Sequence, residues 1–248
     1  REDRFFRERC PAMTDDLNAL LSHPAASAAR PLTGLTVLVV EDSRFASEAM
    51  RLLCLRSGAR IRRADCLRSA HRHLATYRPG VVIVDMGLPD GSGADLIREI
   101  KAMQAPVPVV LGTSGESGLE AEALAAGADG FMPKPLESLA QFQQTILAAL
   151  PDERRPQGLY ALSDAVIAPD PIALQDDLHH MAEVLSDASS PAQFGYVAQF
   201  LAGVARSAHD PALETAAEAV GRDGGPSPEA VSHLSSLMQD RIAAGARF

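Results

Sequence analysis

Between residues 35 and 150, short apolar runs alternate with longer stretches in which Leu, Ile, Met and Ala recur at helical spacing. The runs Leu35–Val40, Ala59–Ala64, Val81–Asp85, Val107–Leu111 and Gly130–Met132 predict strands. The stretches between them, Arg44–Ser57, Leu67–Tyr77, Gly93–Met103, Gly118–Ala126 and Leu136–Leu150, predict helices. Gly58 and Gly127 fall where two of these helices should stop, as left-handed C-terminal caps do. Three of the strands are almost wholly apolar, which burial on both faces of a parallel sheet requires. Strand and helix in alternation therefore predict an α/β unit, a five-stranded parallel sheet covered on both sides.

After residue 150 the pattern changes to helix only. A hydrophilic linker begins at Asp152-Glu153-Arg154-Arg155-Pro156 and is expected to run through 151–170. Helical spacing then covers Ile172–Ser186, Ala192–Ala208, Pro211–Val220 and Pro228–Ala244, punctuated by Pro191, Pro211 and Gly224-Gly225-Pro226. Amphipathic helices joined by short connections predict an antiparallel all-α bundle, here of four helices over 171–248. Residues 1–34 have no such period and are expected to form a disordered or loosely docked arm, with a short helix over 15–21. Met13 is a candidate translation start, with residues 1–12 an extension.

Charge sharpens this division. The last segment, 151–248, holds 6 basic and 14 acidic side chains, nearly all of the net charge of −9. Binding a phosphate backbone relies on Lys and Arg, so the balance argues against nucleic acid as a partner. No apolar run is long enough to span a bilayer, and the mostly charged first nine residues carry no secretory pattern, so no membrane is expected. Three cysteines (Cys10, Cys54, Cys66) without metal spacing predict free thiols in a cytoplasmic protein.

Ligands of an open parallel sheet bind at the carboxyl ends of its strands. Here the first strand runs into Glu41 and Asp42, and the third ends in Asp85. The fourth is followed by Gly112, Thr113 and Ser114, and the fifth by Pro133 and Lys134. Three carboxylates at one edge repel one another, and a divalent cation that prefers hard oxygen ligands, such as Mg²⁺, relieves this. A carboxylate attacks a phosphoryl group only when the incoming negative charge is neutralised, a task suited to the metal and Lys134. Singly, each residue is more often a cap, a turn or a solvated charge. Their succession along the strand ends points to phosphoryl chemistry.

On these motifs residues 35–150 resemble a two-component response-regulator receiver domain. Val37-Leu38-Val39-Val40-Glu41-Asp42-Ser43 is similar to the family's opening strand and acidic pair. The stretch from Val82 through Asp85 to Gly93 resembles its phosphoacceptor strand and Pro/Gly loop. Thr113 matches the switch hydroxyl, and Gly127 through Pro135 the closing strand with its Lys-Pro pair. The resemblance implies a flavodoxin-like fold and Asp85 as the phosphoacceptor. It also implies Mg²⁺ held by Glu41, Asp42, Asp85 and the Gly87 carbonyl. Thr113 and Lys134 would bind the phosphoryl group, Thr113 and Phe131 would act as the switch, and Lys134-Pro135 would be a cis bond. Its implied partner is a sensor histidine kinase or histidine phosphotransfer protein, and it implies no enzyme beyond its own phosphorylation and dephosphorylation. Phe131 lacks the hydroxyl of the Tyr found in some relatives.

In the helical part, Ala198 to Ala208 resembles the core of a histidine phosphotransfer domain in degenerate form. Gln199 stands where the phosphorylated His is expected, and Ala202 where a Lys is expected. A Gln amide is no nucleophile for phosphoryl transfer, so such a bundle would serve docking. An unrelated bundle is the other reading. His179, His180 and His209 are expected to be solvated, and the stripe Phe194, Val197, Leu201, Val204 and Ala208 to be core, a homodimer seam being its functional alternative. The chain is thus expected to signal by protein contact toward a downstream protein target. The rivals are a working phosphotransferase and, against the charge, a DNA-binding regulator.

Overall fold

The computed structural model describes residues 27–116, 118–155, 163, 165–222 and 225–245. Cys10, Met13, the helix expected over 15–21 and Pro156 lie outside the described residues.

Five parallel strands form one sheet: β1 (Thr36–Val40), β2 (Arg60–Ala64), β3 (Val81–Asp85), β4 (Val109–Ser114) and β5 (Gly130–Pro133), in the order β2-β1-β3-β4-β5. Helices α1 (Arg44–Ser57) and α5 (Leu139–Ala149) cover one face, where Met50, Leu53, Phe142 and Ile146 pack on Val37, Val39, Ile83 and Leu111. Helices α2 (Leu67–Thr76), α3 (Gly93–Ala102) and α4 (Leu119–Ala125) cover the other, packing Leu74, Leu96, Ile97 and Ala123 on Leu38, Val82, Val84 and Val110. The alternation of side chains along a strand divides the two cores. The chain order reverses between β1 and β3, which opens a crevice at their carboxyl ends.

Two boundaries differ from the apolar pattern for visible reasons. β4 starts at Val109, after Pro106 and Pro108, which lack the donors a central strand needs. It then continues through polar Gly112-Thr113-Ser114, because Asp85 pairs with Thr113 and Pro133 with Ser114. Gly58 and Gly127 both have positive φ, 83° and 103°, as their helix-stop positions require. The Lys134-Pro135 bond is cis.

The segments expected to be loose are pinned where described. Leu32 is fully buried in the α1/α5 core, and its N–H donates to the Ser57 carbonyl. In the stretch expected as a linker, Ile167 enters the same core, and its N–H donates to the Glu137 carbonyl. Arg155 donates from Nε and Nη2 to the carbonyls of Leu147 and Ala148 at the end of α5. Leu32 stands between Pro31 and Thr33, and Ile167 lies in the four-residue run Ala165-Val166-Ile167-Ala168; segments this short show no period, which is why the pattern did not reveal these anchors.

The helical part comprises α6 (Pro171–Asp187), α7 (Pro191–Ser207), α8 (Pro211–Val220) and α9 (Pro228–Gly245). Asp170, Ser190 and Asp210 cap the first three, each followed by Pro at the first helical position, where no N–H is needed. Leu178, Met181, Val197, Leu201, Val204, Leu213, Val220, Leu234 and Met238 form its core. Phe194 and Ala208 are half-buried, so the stripe on α7 is mainly core. The bundle has its own core, yet α6 and α7 also lie against α1 and the loop after β3.

Candidate functional site at the carboxyl edge of the sheet

Glu41 and Asp85 are buried and Asp42 half-buried where β1 and β3 end. One oxygen from each of the three lies within 4.8 Å of the others. Lys134, delivered by the end of β5, places Nζ 2.6 Å from Asp85 Oδ2 and 2.7 Å from Glu41 Oε2. Asp85 Oδ1 accepts from the Gly87 N–H at 3.2 Å. The loop returning to α3 passes so close to Asp85 that a Cβ on Gly93 would lie 2.1 Å from the Asp85 carbonyl oxygen, so only glycine fits.

Burial dominates the electrostatics. It pushes Asp42 up to about 7, reinforced by the Asp85 charge, and raises Glu41 well above the usual carboxylate range for the same two reasons. Burial alone would lower Lys134, but Asp85 and Glu41 outweigh it and hold the ammonium charged beyond its ordinary range. Three carboxylates thus face one cation. Glu41 Oε2 is ion-paired with Lys134 at 2.7 Å, so a single ammonium is shared between two buried carboxylates, with Asp42 beside them. An all-oxygen set of this charge fits a hard divalent cation such as Mg²⁺.

The other expected site residues fall near this cluster in different states. Thr113 is fully buried, and its hydroxyl donates to the Met132 carbonyl at 2.8 Å rather than toward Asp85. Phe131 is half-buried on the opposite face, beside Gly112, where an added Cβ would meet its ring at 3.1 Å. Cys54 is a buried free thiol, raised by burial to about 12, and Cys66 is free and half-buried.

Sequence reasoning singled out Gln199 and Ala202 but missed Tyr196, Asp177 and Arg206, which also reach this edge from the helical part. The Tyr196 hydroxyl donates to Asp42 Oδ2 at 2.8 Å, and burial followed by the Asp42 charge raises its pKa. Asp177 is buried and accepts from the Ser43 hydroxyl and from the backbone N–H of Arg44 and Phe45, so the bundle caps α1. Arg206 donates to the Gly115 carbonyl beyond β4. Gln199 lies over the loop after β3: a Cβ on Gly87 would be 2.8 Å from its Nε2, 2.9 Å from Cδ and 3.0 Å from Oε1. Between the two parts is a cavity of about 570 Å³, lined by Asp42, Asp85, Lys134, Tyr196, Gln199 and Ala202 among others. His179, His180 and His209 do not line it; His209 instead pairs with Glu137 at 2.7 Å.

A parallel sheet with a topological switch point and an acidic, lysine-closed crevice at its carboxyl edge defines a doubly wound α/β ligand-binding unit. Residues 37–146 match the family model described as the response regulator receiver domain, and this part of the chain is such a domain. The KDP operon transcriptional regulatory protein KdpE of Escherichia coli is 32% identical over 142 residues, 57% of this chain and 58% of that protein. The virulence transcriptional regulatory protein PhoP of Salmonella typhimurium is 34% identical over 113 residues, 44% of this chain and 50% of that protein. The chain therefore spans between half and three-fifths of the length of these curated relatives. Among solved structures, the chemotaxis response regulator CheY4 of Vibrio cholerae is 25% identical, with a TM-score of 0.42. That match covers 48% of this chain and 100% of that one. Among the described residues, no helix is long and apolar enough to cross a membrane.

Proposed function

We propose that the chain is a phosphorylated response regulator in which Asp85 takes the phosphoryl group and the helical part signals by protein contact. The observation that carries this reading is the setting of Asp85: Lys134 at 2.6 Å on one oxygen, the Gly87 N–H on the other, and Glu41 and Asp42 alongside. Glu41, Asp42, Asp85 and the Gly87 carbonyl would hold Mg²⁺, which when bound neutralises phosphoryl oxygens. Lys134 supplies fixed positive charge to the same group without reorganisation. Thr113 would bind a phosphoryl oxygen after its hydroxyl leaves the Met132 carbonyl, and Phe131 is the aromatic placed to respond. A few kcal/mol of differential contact suffices for such a switch.

The phosphodonor would be a sensor histidine kinase or a histidine phosphotransfer protein. Within the helical part, Gln199 and Ala202 line the cavity while His179, His180 and His209 do not, which supports a phosphotransfer-like bundle without a phosphorylated histidine over a working relay. The 6 basic and 14 acidic side chains of residues 151–248 favour a protein target over nucleic acid. Among the described residues, Cys54 and Cys66 are free thiols, which fits a reducing cytoplasm. Incubation with Mg²⁺ and phosphoramidate, followed by intact mass, tests the reading. One alkali-labile phosphate, absent from Asp85→Asn, is expected. An acid-labile phosphate within 171–209 would instead establish a relay, and no phosphate at all would overturn the role of Asp85.

A further inference from the structure

We infer that the bundle is a built-in hydrolase element, with Gln199 positioning the water that cleaves the aspartyl phosphate; the inference rests on the reading of Asp85 as phosphoacceptor.

The geometry begins with how α7 is held. Tyr196, one turn before Gln199, is hydrogen-bonded to Asp42, and Arg206, two turns after it, is hydrogen-bonded to the Gly115 carbonyl. Asp177 on α6 fastens the bundle to the N-terminus of α1. Gln199 is thereby fixed between two anchors on opposite rims of the crevice. The near-equal approach of its Nε2, Cδ and Oε1 to the Cβ direction of Gly87 means that the amide lies flat over that residue. The Gly87 N–H in turn donates to Asp85 Oδ1, so the amide lies over the residue that holds the Asp85 carboxylate.

The amide is also available. Gln199 is exposed, lines the cavity that contains Asp85 and Lys134, and among the described residues its side chain makes no hydrogen bond. A primary amide offers a carbonyl oxygen that accepts from water and an NH₂ that donates to a phosphoryl oxygen. Phosphoryl hydrolysis needs little covalent help from a protein. It needs a water held in line and charge stabilised, and glutamine is a residue that performs the first task in other phosphoryl-transfer enzymes. Lys134 stands ready for the second. The cavity, about 570 Å³, has room for a small phosphodonor and several waters.

In the step, the water oxygen bonds to phosphorus as the bond from phosphorus to the Asp85 carboxylate oxygen breaks. The carboxylate leaves with the electron pair, and the water proton passes to the released inorganic phosphate. Gln199 gains and loses no proton.

The test labels the full chain with ³²P-phosphoramidate and Mg²⁺, removes the donor, and follows decay of the label on wild type, Gln199→Leu and Tyr196→Phe. Label on Gln199→Leu should persist at least about tenfold longer than on wild type. Tyr196→Phe, which loosens the anchor but keeps the amide, should fall between them. Equal lifetimes, or faster decay in Gln199→Leu, would mean that α7 only shields Asp85 and would overturn the inference alone. Absence of label from every protein would remove the Asp85 reading and this inference with it.

Discussion

Lys134 is the single cation between two buried carboxylates, and its removal should cost more than any surface charge. Lys134→Met leaves Glu41 and Asp85 facing each other without compensation, and an expected loss of about 3–5 kcal/mol follows. Urea unfolding of the metal-free protein measures it, and millimolar Mg²⁺ should restore part of it. Asp42 contributes to the pH dependence, in the same direction as Glu41 and Asp177, which burial also raises. The folded pKa of Asp42, about 7, lies above the ordinary carboxylate value, so its contribution to stability is complete at low pH and is lost as pH rises through about 7. The metal-free Tm of wild type should therefore decline relative to Asp42→Asn between about pH 4 and 7. Mg²⁺, which needs the ionised carboxylate, should raise the wild-type Tm more at about pH 8 than at about pH 5.5. The residues of this cluster were legible in the sequence because each stands at the end of an apolar run. Tyr196 and Asp177 were not, because their partners lie 154 and 134 positions away and neither stands in a local pattern.

At the scale of elements, α1 is the joint between the two parts. Ser43 is its own N-cap, accepting from the Ala46 N–H, and Asp177 of α6 takes the neighbouring donors of Arg44 and Phe45 together with the Ser43 hydroxyl. Burial raises the pKa of Asp177, and the Phe45 N–H, the Ser43 hydroxyl and the Arg44 N–H oppose that rise, so the carboxylate is held by the helix end it serves. Asp177→Ala would leave buried donors unpaired, and a loss of about 1–3 kcal/mol is expected from the urea midpoint. Faster hydrogen exchange at the first turn of α1 should accompany it. The helices themselves were nearly complete in the sequence, since Asp170-Pro171, Ser190-Pro191 and Asp210-Pro211 each join a cap to a first helical proline. Strand ends were less so. The pairing that extends β4 through Thr113 and Ser114 comes from β3 and β5, which no local window contains.

The whole molecule places an acidic helical bundle over the one crevice at which the receiver would meet a phosphodonor. If, as proposed, the donor is a protein that presents a phosphohistidine on a helix, it would need the surface that α7 occupies beside Gly87 and Gly115, whereas a small donor would need only the cavity. Docked and donor-bound forms would then compete, and the apparent affinity for a protein donor would scale with the fraction of chains that are open. The hydrogen bonds of Tyr196 and Arg206 favour the closed form without belonging to the core of either part. Tyr196→Phe combined with Arg206→Ala should accelerate phosphorylation by a histidine-phosphorylated bundle protein by about tenfold, the effect of about 1.4 kcal/mol on the open population. Phosphorylation by phosphoramidate, which does not need that surface, should change much less. Hydrogen exchange of the doubly substituted protein should rise in α7 and in the loop after β3 while the sheet stays protected. If both donors accelerate alike, the pocket rather than the docking has changed, and the competition between the bundle and the donor would have to be given up.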